Sequence, residues 1–93
     1  MTLELSLITP VYNEEENLPL LYAAIQQVMK PIGKTWEVIF VDDGSRDKSL
    51  AVLETLVQQD PEHVRVVVFR RNFGQTAAIT AGVDYAQGDT IIL

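Results

Sequence analysis

Apolar residues follow two alternating patterns along the chain. Leu3 to Thr9 is a short β-rich run, which Pro10 is expected to end because proline cannot donate to a central ladder. Leu18, Leu21, Tyr22, Ile25, Val28 and Met29 then recur at helical spacing and mark one buried face, stopped by Pro31 and Gly33. Trp36 to Val41 is a nearly continuous apolar run, the pattern of a central parallel strand covered on both faces. Leu50, Leu53, Leu56 and Val57 carry a second helical stripe that ends at Asp60-Pro61.

Val64 to Phe69 predicts a third strand. A third helix follows Arg70-Arg71-Asn72, rich in small residues (Ala77, Ala78, Ala81, Gly82) that permit close approach to a sheet, with Gln87-Gly88 as its cap. Asp89 to Leu93 begins a fourth strand. The order β-α-β-α-β-α-β predicts an α/β fold, a doubly wound, mostly parallel, Rossmann-like sheet with right-handed crossovers and helices on both faces. If the first three strands wind outward and the fourth returns beside the first, the ligand crevice is expected between the ends of strands one and four. Residues 1–93 read as one unit with no internal boundary.

Polar signatures sit at the ends of consecutive strands. In Pro10-Val11-Tyr12-Asn13-Glu14, Asn13 suits a helix N-cap with Glu16 at the capping-box position. The functional alternative is a pocket in which Tyr12 offers a ring face and Glu14 acceptors to a nucleobase and ribose. In Val41-Asp42-Asp43-Gly44-Ser45, adjacent carboxylates repel one another and need a cation or donors nearby. One aspartate can pair with backbone N–H groups and the other accept from a ligand, such as the imide of uracil or the amino edge of guanine. Ser45 reads as the next N-cap. Asn72 is a plausible N-cap with Gln75 as its partner, while Arg70 and Arg71 read as solvated arginines more readily than as a phosphate site. His63 reads as a surface residue and Trp36 as a packing residue.

Composition narrows the partners. Hydrophobic residues are 47% and charged residues 22% of the 93, ordinary for a globular protein. The net charge of −6 argues against nucleic-acid binding and means that a phosphate must be held by local donors or a cation. No stretch is long and apolar enough to span a membrane, and the N-terminus lacks the basic region of a signal peptide. Without cysteine, thiolate metal sites and thiol nucleophiles are excluded.

Together Pro10-Val11-Tyr12-Asn13-Glu14, Val41-Asp42-Asp43-Gly44-Ser45, Arg71-Asn72-Phe73-Gly74 and the Ala81-Gly82 to Gly88-Asp89 stretch resemble the N-terminal half of the catalytic domain of family 2 glycosyltransferases of GT-A fold, especially dolichyl- or polyprenyl-phosphate sugar transferases. The resemblance implies an inverting transfer of a hexose from a UDP- or GDP-sugar to a lipid phosphate, with Pro10, Tyr12, Glu14 and Asp43 on the nucleotide and Asp42 beside them. It implies Mg²⁺ or Mn²⁺ held by an Asp-x-Asp motif expected just after Leu93, so that no metal ligand or catalytic residue falls within this chain. It also implies a parent protein working at the cytoplasmic face of a membrane. A non-enzymatic nucleotide-binding or interaction module of the same fold is the alternative. Self-association through the edge of an unfinished sheet is a further expectation.

Overall fold

The computed structural model describes residues 3–93. Strands β1 (Leu5–Val11), β2 (Trp36–Asp42), β3 (Val64–Val68) and β4 (Thr90–Ile92) alternate with helices α1 (Leu18–Met29), α2 (Ser49–Gln59) and α3 (Gln75–Tyr85). They form one parallel sheet in the order β3-β2-β1-β4, so the chain winds outward and then returns beside β1. This is the expected doubly wound arrangement.

Every residue of β2 is buried, because the sheet is covered on both faces. Val38 and Phe40 point to the face closed by Leu18, Tyr22, Ile25 and Met29 of α1 and Leu53 and Leu56 of α2. Ile39 and Val41 point to the opposite face, where they meet Ile8 and Ala78 of α3. The two-residue alternation of a strand thus divides one apolar run between two cores. Each fully buried side chain of this kind contributes about 1.5–3 kcal/mol.

The α3 side is thin because its helix is small-residued. A Cβ on Gly82 would lie 2.3 Å from Ile8 Cγ2, so only glycine lets the helix sit this close to β1.

Local boundaries differ from expectation in instructive ways. β1 runs through Pro10, which pairs with Val41. Beyond Leu7 the strand has only β2 as a neighbour, since β4 pairs only with Leu5, Ser6 and Leu7, so donors are not required on both edges. Helix α1 starts later than an Asn13 cap would allow, with Asn17 at its N-cap position and Pro19 in its first turn. Lys48 and Gly74, not Ser45 and Asn72, precede α2 and α3. The side chains taken for caps are instead used between loops. Nor do Gln87 and Gly88 cap α3, which ends at Tyr85.

Those two residues belong to a buried polar tie. Glu37, 1% exposed inside β2, accepts from Ser6 Oγ at 2.6 Å and from the Gln87 amide at 2.8 Å. Ser6 Oγ in turn accepts from the Gly88 amide at 2.8 Å. The tie fixes the entry of β4 against β1, and a satisfied buried carboxylate of this kind is tolerable where an orphaned one is not.

At the amino-terminal ends of the strands Trp36 is a packing residue as expected, and its ring also stacks on His63 at 4.0 Å between centroids. His63 is half-buried rather than a free surface group, with Nδ1 3.0 Å from the Asp60 carboxylate. Tyr22 donates its hydroxyl to Asp60 Oδ2 at 2.7 Å and accepts from Gln26. Burial, and then the hydrogen bond to and charge of Asp60, push the Tyr22 phenol from 10.0 up to about 12.

Two outcomes follow from this packing. Gly82→Ala should destabilise the fold by about 1–3 kcal/mol through overpacking against Ile8, read as a lowered melting temperature; unchanged melting would contradict the close approach. Tyr22 should ionise near pH 12, and its share of stability, complete below pH 10, should be lost as pH rises through about 12. An ultraviolet titration should show this late step in the wild type and not in Tyr22→Phe; a wild type without it would contradict the assignment.

Candidate functional site

The carboxyl ends of β1 and β2 open onto a cavity of about 500 Å³, closed on its far side by the start of α3 and lined by Pro10, Val11, Tyr12, Glu14, Asp43, Asn72, Gly74 and Gln75. Four of the five sequence-nominated residues, Pro10, Tyr12, Glu14 and Asp43, are thus brought together. Asp42 is not among the lining residues. It ends β2, is 2% exposed, and its Oδ1 accepts from the Ser45 amide at 3.3 Å, which shapes the turn. The two adjacent carboxylates therefore serve different partners.

Asp43 is the centre of the arrangement. At 3% exposure its Oδ1 accepts from the Phe73 amide at 2.7 Å, and its Oδ2 from the Gly74 amide at 3.0 Å and Asn72 Nδ2 at 3.1 Å. Asn72 Nδ2 also lies 3.2 Å from the Asp43 carbonyl oxygen. Hydrogen bonds from N–H groups to a carboxylate are charge-assisted and strong. They bind the loop before α3 to the end of β2.

Gly44 makes room for that loop. Its φ is 71°, and a Cβ there would lie 2.3 Å from the Arg71 carbonyl carbon and 2.5 Å from the Asn72 nitrogen.

With two donors on Oδ2 and one on Oδ1, the carboxylate keeps acceptor capacity for one further N–H. Tyr12, 43% exposed, presents its ring at the mouth of the cavity. Glu14 carries a carboxylate whose Oε2 accepts from Asn17 Nδ2 at 2.8 Å. An acceptor at the base, an aromatic face and a second acidic acceptor suit a planar heterocycle bearing N–H groups and a sugar with hydroxyls.

The cavity lies over the carboxyl ends of β1 and β2, and no residue of β4 lines it. Arg71 is exposed and folds its guanidinium over the Phe73 ring, 4.5 Å from the centroid, just outside the lining.

The sequence pattern assigns Asn72 and Gln75 to a helix cap, whereas the fold places both on the cavity lining, with Asn72 bonded to Asp43. A charged residue inside an apolar run, Glu37, was a legible signal of a buried partner, though it serves the fold and not the cavity.

A larger groove of about 630 Å³ lies at the opposite end of the sheet, among Tyr22, Gln26, Lys30, Trp36, Asp60 and His63. Tyr22, Gln26, Asp60 and His63 bond to one another there. We favour the smaller cavity because it occupies the carboxyl end of a parallel sheet, where α/β folds bind ligands.

No three His, Asp or Glu side chains come together among the described residues to hold a metal ion.

The family model for glycosyl transferase family 2 matches residues 6–93. A glycosyltransferase of Synechocystis sp. is 46% identical over 99% of this chain and 29% of its own length. An undecaprenyl-phosphate 4-deoxy-4-formamido-L-arabinose transferase of Pectobacterium atrosepticum is 45% identical over 94% of this chain and 27% of its own. The chain therefore spans less than a third of these relatives. A mannosyltransferase from Pyrobaculum calidifontis, solved in complex with GDP-Man and Mn²⁺, superposes with a TM-score of 0.74 over 98% of this chain and 26% of that one, at 22% identity, and so shares the fold. With its family model matched over nearly its whole length, the chain belongs to glycosyl transferase family 2.

Proposed function

We propose that this chain is the donor-nucleotide-binding part of a polyprenyl-phosphate sugar transferase that takes a hexose from a UDP- or GDP-sugar. The observation that carries the reading is the cavity in which Asp43, Tyr12, Glu14 and Pro10 converge at the ends of β1 and β2. The base donates an N–H to the open acceptor position of Asp43 and stacks on Tyr12, Glu14 accepts from the ribose, and Pro10 supplies an apolar wall. Asp42 supports the turn beneath them.

Relatives named for undecaprenyl phosphate support a lipid-phosphate acceptor. Such a phosphate is ionised at neutral pH and is already a nucleophile, so the reaction asks for positioning and leaving-group stabilisation more than for a general base. A divalent cation, as in the Pyrobaculum structure, supplies positive charge to a departing diphosphate. We place its ligands in an Asp-x-Asp motif of the parent protein, as the resemblance implies. The reaction belongs at the cytoplasmic side of a membrane, because relatives named for undecaprenyl phosphate point to an acceptor lipid held there.

Calorimetric titration with UDP and GDP in the presence of Mn²⁺ tests this directly. One of the two should bind, and Tyr12→Ala should weaken it roughly tenfold or more through lost stacking. Asp43→Ala should abolish binding and also cost about 1–3 kcal/mol of stability by stranding the amides of Phe73 and Gly74. Absence of binding by either nucleotide would overturn the reading. Sugar transfer by the 93-residue chain alone would contradict the assignment of catalysis to residues outside it.

A further inference from the structure

Tyr12 and Glu14 both line the cavity, and Asn13 between them does not. Asn13 faces the loop after β2 instead. Its φ of 53° is in the left-handed region, the only such value among described residues other than glycine. Asparagine tolerates that conformation better than most side chains do, at a modest cost.

What it holds explains the turn. Asn13 Oδ1 accepts from the amide of Arg46 at 2.8 Å and lies 3.4 Å from that of Asp47, while its own amide donates to Ser45 Oγ at 3.0 Å. The left-handed turn then aims the next two amides at the same loop. The Glu14 amide donates to the buried Ser49 Oγ at 2.8 Å, and the Glu15 amide to Asp47 Oδ2 at 3.3 Å. The Ser49 hydrogen bond holds the Asp47 carboxyl below its ordinary range, so this acceptor is ionised at neutral pH.

No strand or helix fixes residues 12–15. Their path is set by these bonds to residues 45–49 and by the Glu14 carbonyl, which accepts from the amides of Asn17 and Leu18; Asn13 contributes both a bridging side chain and the backbone turn.

We propose that Asn13 is a positioning residue for the nucleoside pocket: its side chain locks the loop after β1 onto the loop after β2 and so holds Tyr12 and Glu14 where they meet the ligand. The inference rests on the reading of the cavity as a nucleotide site and adds to it a residue that touches no ligand. Asn13 acts through its neighbours, so its loss should weaken donor binding while leaving the bond-making step intact.

A series of substitutions separates the bonds from the backbone. Asn13→Gly keeps easy access to the left-handed turn and loses the side-chain acceptor; Asn13→Ala loses both; Asn13→Asp keeps the acceptor and much of the tolerance. Nucleotide affinity is measured by calorimetry with UDP and GDP plus Mn²⁺, well below each variant's melting temperature, and donor KM and kcat are measured in the full-length protein. Asn13→Gly and Asn13→Ala should bind roughly tenfold more weakly, equivalent to about 1.4 kcal/mol, with donor KM raised and kcat within about twofold. Asn13→Asp should recover most of the affinity. If Asn13→Gly melts at a lower temperature yet binds as wild type does, or if kcat falls with KM unchanged, the role is structural and the proposal is overturned. If wild-type protein binds neither nucleotide, the reading of the cavity fails first and the proposal falls with it.

Discussion

The carboxylate of Asp43 joins two parts of the chain that lie 30 residues apart, the end of β2 and the loop that leads into α3. Three N–H donors converge on it in a place that is 3% exposed. Losing that acceptor would take the charged partner from two backbone amides, of Phe73 and Gly74, so the loop's path depends on the charge beside it. Gly44 supports the same contact by leaving space where any side chain would collide with the backbone of Arg71 and Asn72. The cavity exists because this loop is held against the sheet.

Around that anchor, the molecule uses the two ends of its sheet differently. At the amino-terminal end Ser6, Glu37, Gln87 and Gly88 exchange hydrogen bonds with one another, as do Tyr22, Gln26 and Asp60. These polar groups are satisfied internally and serve the fold. At the carboxyl end Asp43 keeps an open acceptor position and Tyr12 an exposed ring face. Between the two ends lies β2, buried along its whole length, whose alternate side chains belong to separate cores. A rigid strand of this kind is a suitable platform for placing a carboxylate accurately.

Much of this was legible beforehand. The apolar runs gave the alternation of strands and helices, and the strand-end motifs named Pro10, Tyr12, Glu14 and Asp43, which the fold brings to one cavity. What stayed hidden was the use of particular polar residues. Asn13, Ser45 and Asn72 are of types that cap helices, and a local reading assigns them to the nearest helix. In the folded chain each bonds across a gap of more than two dozen residues, Asn13 to Arg46, Ser45 to Asn13 and Asn72 to Asp43. Capping and loop bridging make the same demand on a side-chain oxygen or amide, so only the tertiary arrangement separates them.

The central claim is that the cavity at the carboxyl ends of β1 and β2 is where the donor nucleotide binds. Amide chemical-shift mapping on nitrogen-labelled protein, during titration with a nucleoside diphosphate and Mg²⁺, tests it most directly. The account predicts that the largest shifts fall on Tyr12, Glu14, Asp43, Phe73 and Gly74, with the groove around Trp36 and His63 unchanged. Shifts concentrated at that groove, with the Asp43 and Phe73 amides unmoved, would contradict it.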